Sequence, residues 1–402
     1  MNDTKNRLRD YLQTKAGTVP DAAQGPGLQL DATGTPTKRG WIPIVLAAAT
    51  IGAVLVLAVP FLTRLADKQP TVADSPAAMP TGPVSTGAPR IPYAVTVHNN
   101  PDNPLDTWWA VIQDGKQKVK NPGVRGEVLA RLGGGWLVKT GYPDPKKSQA
   151  AIVDPKGKVT PLGPTGATYP VISPDGRQLA VAVAPYGAKD SRVVVVNVED
   201  GKETARLDLP MPSIRLIGWN KDGIWLTPEL VDSRPVSVWQ PGADQPRTVE
   251  ELGLRGELQV VRSSDVVVQL SGNGIDGYCA KAATLGAKGL ELKREYCFET
   301  VESDQAAAYV ALSPEGRTMV LSTRVAVDIA TGKATKLGIP AKFGGWTWNS
   351  AVFEDPATVI VLADTRGVKP LAQKMFRCSV TTGECKAILT SKSNESLAAV
   401  RP

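Results

Sequence analysis

The sequence predicts an all-β protein, a six- or seven-bladed β-propeller, preceded by a single transmembrane α-helix and a disordered N-terminal tail. Three observations carry that prediction. After about residue 92, short β-branched runs such as VVVVNV, DVVVQL and TVIVLA alternate with turn signals, and no long 3.6-residue pattern appears. A turn followed by a strand recurs, with Trp136, Leu179, Ile224, Val266, Met319 and Val359 as the first large apolar residues, at spacings of 43, 45, 42, 53 and 40. Residues 41–63 read WIPIVLAAATIGAVLVLAVPFLT, without a single charge.

The repeat sets the architecture. A unit of 40–45 residues with several strands is a small sheet that cannot bury its own faces, and radial packing of such sheets is the propeller solution. A second turn recurs after the next strand, at VDPKGKVTPL, VEDGKETARL, DIATGKATKL and SVTTGECKAI, with Gly157, Gly201, Gly332 and Gly383 placed for a tight hairpin with positive φ. Six units are visible. A seventh is assembled from YAVTV, TWWAVIQDGKQKV and the tail ESLAAV, which joins the chain ends and removes an open edge. The long spacing of 53 contains Cys279 and Cys297, and a disulfide-pinned excursion is the expected source of the excess.

The uncharged run is ~34 Å long as a helix, against a hydrocarbon core of ~30 Å. It is longer than a signal-peptide core, and forty residues precede it, so it reads as a retained anchor. Lys38 and Arg39 flank one end and Arg64 and Lys68 the other, so flanking charge does not orient it. The cysteines do. Cys279, Cys297, Cys378 and Cys385 all follow the run, and an even count in two close pairs suggests disulfides, which persist outside the cytoplasm. Of three connectivities, Cys279–Cys297 with Cys378–Cys385 closes the shortest loops, worth roughly 2.5–3 kcal/mol each in a chain-entropy view.

The expected organisation is therefore a cytoplasmic tail at 1–40, the membrane helix at 41–63, a linker at 64–91 rich in Pro, Ala, Ser and Thr, and an extracytoplasmic propeller at 92–402. In the tail, Leu8, Tyr11 and Leu12 form a narrow stripe at helical spacing, either a frayed helix in water or a docking segment that folds on a cytoplasmic partner. Net charge is +7 and the pI about 9.1, but Lys and Arg are scattered with no run of five or six, so the expectation is a modestly basic surface and no nucleic-acid partner.

The segments SPDGRQLAVAV (173–183) and SPEGRTMVLST (313–323), with KDGIWL (221–226) in part, resemble the repeat signature of TolB-like and WD40-like propellers. The layout is similar to membrane-anchored propeller proteins of actinobacterial type, and RCSVTTGEC (377–385) resembles a last-blade hairpin with paired cysteines seen there. NRLRDYLQTKAGTVP (6–20) is similar to the short starts of proteins encoded beside extracytoplasmic-function sigma factors. The resemblance implies a propeller of six or seven blades and a tail that meets a sigma factor. The His/Cys cluster of zinc-type anti-sigma domains is missing from the tail.

Little in the sequence points to catalysis. His98 is the single histidine, in VTVHNNPDN, and reads as a surface or turn residue; no GxSxG elbow is present. Neither cysteine pair is CxxC, which argues against zinc. Asp175, Asp200, Asp222 and Asp328 recur at equivalent turns, the first three directly before a glycine, the pattern of turn chemistry. GNGIDG (272–277) lacks a calcium-loop pattern and reads as a loop. No cofactor, metal or catalytic residue is expected, and the protein is read as a non-enzyme. Among the tryptophans, the pairs Trp108–Trp109 and Trp346–Trp348 are the candidates for a binding surface; the others are read as packing between blades. The expected function is binding of a protein, glycan or wall ligand outside the cell, with signalling through the tail. An extracytoplasmic scaffold or wall-binding protein without signalling is the alternative, and a propeller hydrolase the third reading.

Overall fold

The computed structural model describes residues 83–98, 107–141, 144–184, 189–229, 236–252, 256–272, 277–298, 310–344, 351–365, 373–392 and 395–401. The tail with Leu8, Tyr11 and Leu12, the apolar run 41–63 and most of the linker lie outside these residues. Among the described residues no helix is long and apolar enough to cross a membrane.

Seven antiparallel sheets form the blades of a propeller. Blade 1 takes β1 (Tyr93–His98), β2 (Thr107–Asp114) and β3 (Gln117–Lys120). Blade 2 is β4 (Gly126–Leu132), β5 (Gly135–Thr140), β6 (Gln149–Val153) and β7 (Val159–Leu162). Blade 3 is β8 (Ala167–Ile172), β9 (Gln178–Val183), β10 (Ser191–Asn197) and β11 (Glu203–Leu209), and blade 4 is β12 (Ile214–Asn220), β13 (Gly223–Pro228), β14 (Ser237–Trp239) and β15 (Arg247–Thr248). Blade 5 is β16 (Gly256–Val260), β17 (Val266–Gly272), β18 (Tyr278–Leu285) and β19 (Leu290–Phe298). Blade 6 is β20 (Val310–Leu312), β21 (Thr318–Leu321), β22 (Val325–Asp328) and β23 (Ala334–Lys336). Blade 7 is β24 (Phe343–Gly344), β25 (Ala351–Asp355), β26 (Thr358–Thr365), β27 (Gln373–Ser379) and β28 (Cys385–Thr390); the last strand, β29 (Glu395–Ala399), returns to blade 1 in the order β29-β1-β2-β3.

The blade number is thus seven, and the seventh is built from the segments the sequence singled out. All six marker residues of the repeat fall on the second strand of blades 2–7. The inner strands β8, β12, β16, β20 and β25 meet one another in succession, and Arg401, just past β29, bridges to Ala130 of β4 through Arg131 N–H to Arg401 O at 2.8 Å.

Each seam between neighbouring blades has its own buried apolar cluster, seven in all. This explains the continuous apolar runs. On β13, Ile224 and Leu226 pack toward blade 3 while Trp225 packs toward blade 5. On β26, Val359, Val361 and Ala363 face blade 6 while Ile360 and Leu362 face blade 1. Strand alternation sends successive side chains to opposite seams, and each fully buried aliphatic contributes about 1.5–3 kcal/mol of transfer free energy.

The SPDG-type turns have a clear local cause. In the first, Ser173 Oγ accepts Gln178 N–H at 2.9 Å and donates to Asp175 Oδ1 at 2.6 Å. In the second, Ser313 Oγ accepts the N–H groups of Arg317 and Thr318 at 3.1 and 2.9 Å. The serine hydroxyl fixes the turn from first to second strand, and both serines are buried. Gly157, Gly201, Gly332 and Gly383 all adopt positive φ in the turns from third to fourth strand. At Gly383 a Cβ would also meet Lys336 O at 2.2 Å, so both torsion and space require glycine.

Two expectations change. The excess length of blade 5 is not a disulfide-pinned excursion. Cys279 and Cys297 sit directly opposite each other in the ladder between β18 and β19; the extra residues lengthen these two strands and the stretch of sequence between Phe298 and Val310. The second change concerns the linker, whose last residues, 83–91, pack on blade 7 rather than spacing it from the chain before. Arg377 of β27 is only 2% exposed. Its Nε and Nη2 hold Glu354 at 2.6 and 2.9 Å, Nη1 donates to Ser85 O and Gly87 O at 2.8 and 2.9 Å, and Nη2 donates to Ala88 O at 2.8 Å. Glu354 also accepts Arg90 N–H at 2.5 Å, and Lys386 Nζ donates to Val84 O at 2.9 Å. Val84 and Ile91 are buried. A buried guanidinium is tolerated because every one of its five donors is met.

Candidate ligand-binding face

Because the blades are antiparallel meanders, their connections separate onto two faces. Turns from first to second and from third to fourth strand share one face, which also receives the 83–91 strap. Connections from second to third strand, and from each blade to the next, share the other. The turn face is built from tight turns such as 133–134, 221–222 and 356–357. The strand ends on the loop face are separated by longer stretches of sequence, as between His98 and Thr107, Pro228 and Ser237, Phe298 and Val310, and Thr365 and Gln373. Variable connections on a rigid ring are where binding groups are most readily placed.

At the mouth of the loop face, blades 2, 3 and 4 bring together Lys139, Tyr169, Ser213, Arg215 and Glu229. Tyr169 lies near the start of β8, where the ladder to β9 shifts register between Thr168 and Val171. Its φ is +49°, the left-handed region that a tyrosine adopts only under constraint. That twist turns the phenol toward blade 4. There the Tyr169 hydroxyl donates to Glu229 Oε1 and the Ser213 hydroxyl donates to Glu229 Oε2. Lys139 Nζ stands 5.9 Å from the Tyr169 ring centre. The Tyr169 hydroxyl is pushed up to about 12, first by burial, then by the hydrogen bond and charge of Glu229, with Arg215 pulling the other way. It stays protonated as a donor. The cluster offers an exposed carboxylate, a half-buried aromatic ring and two cationic side chains, groups that together suit a polar ligand with hydroxyls and an apolar face.

A second polar group lies on the same face of blade 7. Asp364, at the end of β26, stands beside Gln373, and its Oδ1 is buried without a hydrogen-bond partner. Burial raises this carboxyl above its ordinary range, against a smaller opposing effect of Gln373.

The residues singled out by sequence distribute unevenly. Trp109 is fully buried in the seam between blades 1 and 2, so it does not form a binding surface: its place on β2 points it into the neighbouring blade. The side chain of Trp108, and Trp346 and Trp348 entirely, lie outside the described residues. Trp136, Trp219, Trp225 and Trp239 are packed in seams. His98 ends β1 opposite Thr107. Asp175 and Asp200 accept the N–H groups of Arg177 and Lys202 at 3.0 and 3.1 Å, and Asp328 accepts that of Thr331 at 2.8 Å. At the fourth turn Asn220 takes this role, accepting Asp222 N–H at 3.0 Å. Gly272 and Gly277 flank the β17–β18 connection.

Cys279 pairs with Cys297 and Cys378 with Cys385, with S–S distances of 1.99 and 2.07 Å. Among the described residues the one cluster of three metal-ligating side chains is Cys279, Glu295 and Cys297; its two sulfurs are bonded to each other and cannot also hold a metal as thiolates. Lys139, Tyr169, Ser213, Arg215 and Glu229 were not singled out by sequence. Their common signal is phase: each sits at or beside the start of a first strand or the end of a second strand.

No family model and no curated protein matches the sequence. Solved structures do. The β-propeller domain of the Trilobed protease from Pyrococcus furiosus aligns with a TM-score of 0.44 at 16% identity, covering 66% of this chain and 85% of that one. TolB from Acinetobacter baumannii aligns with a TM-score of 0.43 at 12% identity, over 78% of this chain and 67% of that one. The hydrazine synthase of Kuenenia stuttgartiensis aligns with a TM-score of 0.44 at 13% identity, over 64% and 78%. These likenesses are ones of fold.

Proposed function

We propose that this chain is a membrane-tethered, extracytoplasmic β-propeller that binds a protein, glycan or wall ligand on its loop face and signals through residues 1–16 to a cytoplasmic partner such as a sigma factor. The observation that carries the binding reading is the Tyr169–Glu229–Ser213 cluster, where a strained backbone is kept to present a phenol and a carboxylate at the mouth of a seven-bladed ring. The uncharged run 41–63 and the two disulfides support the placement outside the membrane. No catalytic step is assigned.

The test uses the full chain in its own membrane. Protease added to intact cells should remove the propeller and spare residues 1–40; a shielded propeller with free thiols overturns the placement. Cell-wall fragments should be retained by the wild-type protein and lost with Glu229→Ala or Tyr169→Ala, and equal retention by all three overturns the site. The strap at 83–91 favours one second reading, a scaffold without signalling, because it fastens the propeller to its own tether. Deleting residues 1–16 separates the two, since only the signalling reading loses function.

A further inference from the structure

The two disulfides occupy different environments although both join the third and fourth strands of a blade. Cys378 is fully buried in the seam between blades 6 and 7, with Cys385 packed against the same cluster. Cys297, by contrast, is exposed on β19, the outer strand of blade 5, and Cys279 opposite it is half-buried. One rung beyond this pair, toward the loop face, Tyr278 and Phe298 are paired and their rings stack with centres 6.1 Å apart. The connection from β17 reaches β18, and the chain leaves β19, just past that rung. The bond therefore ties together the strand ends that carry two loop-face connections.

Blade 5 does not depend on the bond for its pairing. β18 and β19 pair from Tyr278–Phe298 to Leu285–Leu290, with one register shift between Ala282 and Ala283, three rungs from the disulfide. Loss of the bond would loosen the end rungs and leave the rest of the ladder intact. The sulfurs are also electrostatically guarded. The Glu295 carboxylate lies within 4.8 Å of both, and Lys281 Nζ partly offsets it at 3.5 Å.

We propose that Cys279–Cys297 is a thiol-exchange site, opened by an external dithiol reductant, and that its state sets the order of the loop-face end of blade 5. A thiolate of the dithiol attacks the exposed Cys297 Sγ, the S–S bond breaks, and Cys279 leaves as a thiolate that takes up a proton. The second thiol of the reductant then attacks the mixed disulfide and releases Cys297 as a thiolate. Two electrons pass to the protein, and the reductant leaves as its own disulfide. The inference is independent of where the protein resides, because it rests on access and placement.

Dithiothreitol as the dithiol, followed by alkylation and peptide mapping of the intact chain, provides the test. Cys279 and Cys297 are expected to be alkylated at least about tenfold faster than Cys378 and Cys385. Glu295→Gln should speed that reduction about threefold by removing a negative charge from the path of the thiolate. Amide exchange at residues 296–298 should rise after selective reduction, and the Cys279→Ser/Cys297→Ser double variant should show the same rise without reductant. Equal reduction rates for the two bonds, or unchanged exchange at residues 296–298 in both the reduced protein and the double variant, would overturn the proposal.

Discussion

The two faces of the ring solve opposite problems with the same strands. On the turn face, polar groups are consumed: Ser173 and Ser313 cap their turns, glycines fit positive φ, and Arg377 spends all five donors on Glu354 and the strap. On the loop face, polar groups are left with capacity: Glu229 is exposed, Tyr169 is strained, and Asp364 has a buried oxygen without a partner. Blade 7 shows the contrast within one sheet. Glu354, at the turn-face end, is held below the usual carboxylate range: burial pushes it up, but the hydrogen bonds of Arg377 and Arg90 outweigh burial. Asp364, at the loop-face end, is pushed above that range. Satisfied groups hold a fold together, and unsatisfied ones await something else.

The sharpest way to break this comparison is at the strap. Arg377→Met should cost roughly 3–5 kcal/mol, since it leaves Glu354 buried and unpaired. Chemical denaturation measures that loss, and trypsin should cut after Arg90 much faster in the variant. Acid should act in the same direction. The Glu354 contribution is present above its unfolded pKa and is lost as pH falls through its depressed folded value, so strap release should appear in strongly acidic buffer. Next in size, Gly383→Ala should destabilise by about 1–3 kcal/mol, read as a lower melting temperature.

The loop face should respond with the opposite sign. Asp364 binds its proton more tightly when folded, so its neighbourhood is most stable below its unfolded pKa and weakens as pH rises through the raised folded value. Asp364→Asn should therefore raise the melting temperature at neutral pH, with the gain disappearing in acid. The smallest expected effect on stability is that of Tyr169→Phe, within about 0.5 kcal/mol by denaturation, because the site is open to solvent. A loss as large as that of Arg377→Met would erase the distinction between the faces.

Much of the ring was legible in the sequence. Repeated glycines and β-branched runs carry local information, so strand positions, the hairpin turns and even the shared blade 1 follow from spacing. What was not legible lies between distant residues. Tyr169 and Glu229 are sixty positions apart, and Arg377 reaches carbonyls at 85, 87 and 88. No period links such partners, and the Pro- and Ser-rich composition of 83–91 looks like a free linker until its carbonyls have somewhere to go. Trp109 failed for a related reason. Alternation says that adjacent tryptophans face opposite ways, but it does not say which way meets a neighbouring blade, and Trp109 does.

The pairing of β29 with β1 has a consequence for biogenesis. Blade 1 is the first part of the ring to be synthesised and the last to be completed, since its inner strand comes from residues 395–399. Until those residues emerge, β1–β3 must wait beside an empty slot, and a product halted a few codons early would leave the ring open to proteolysis.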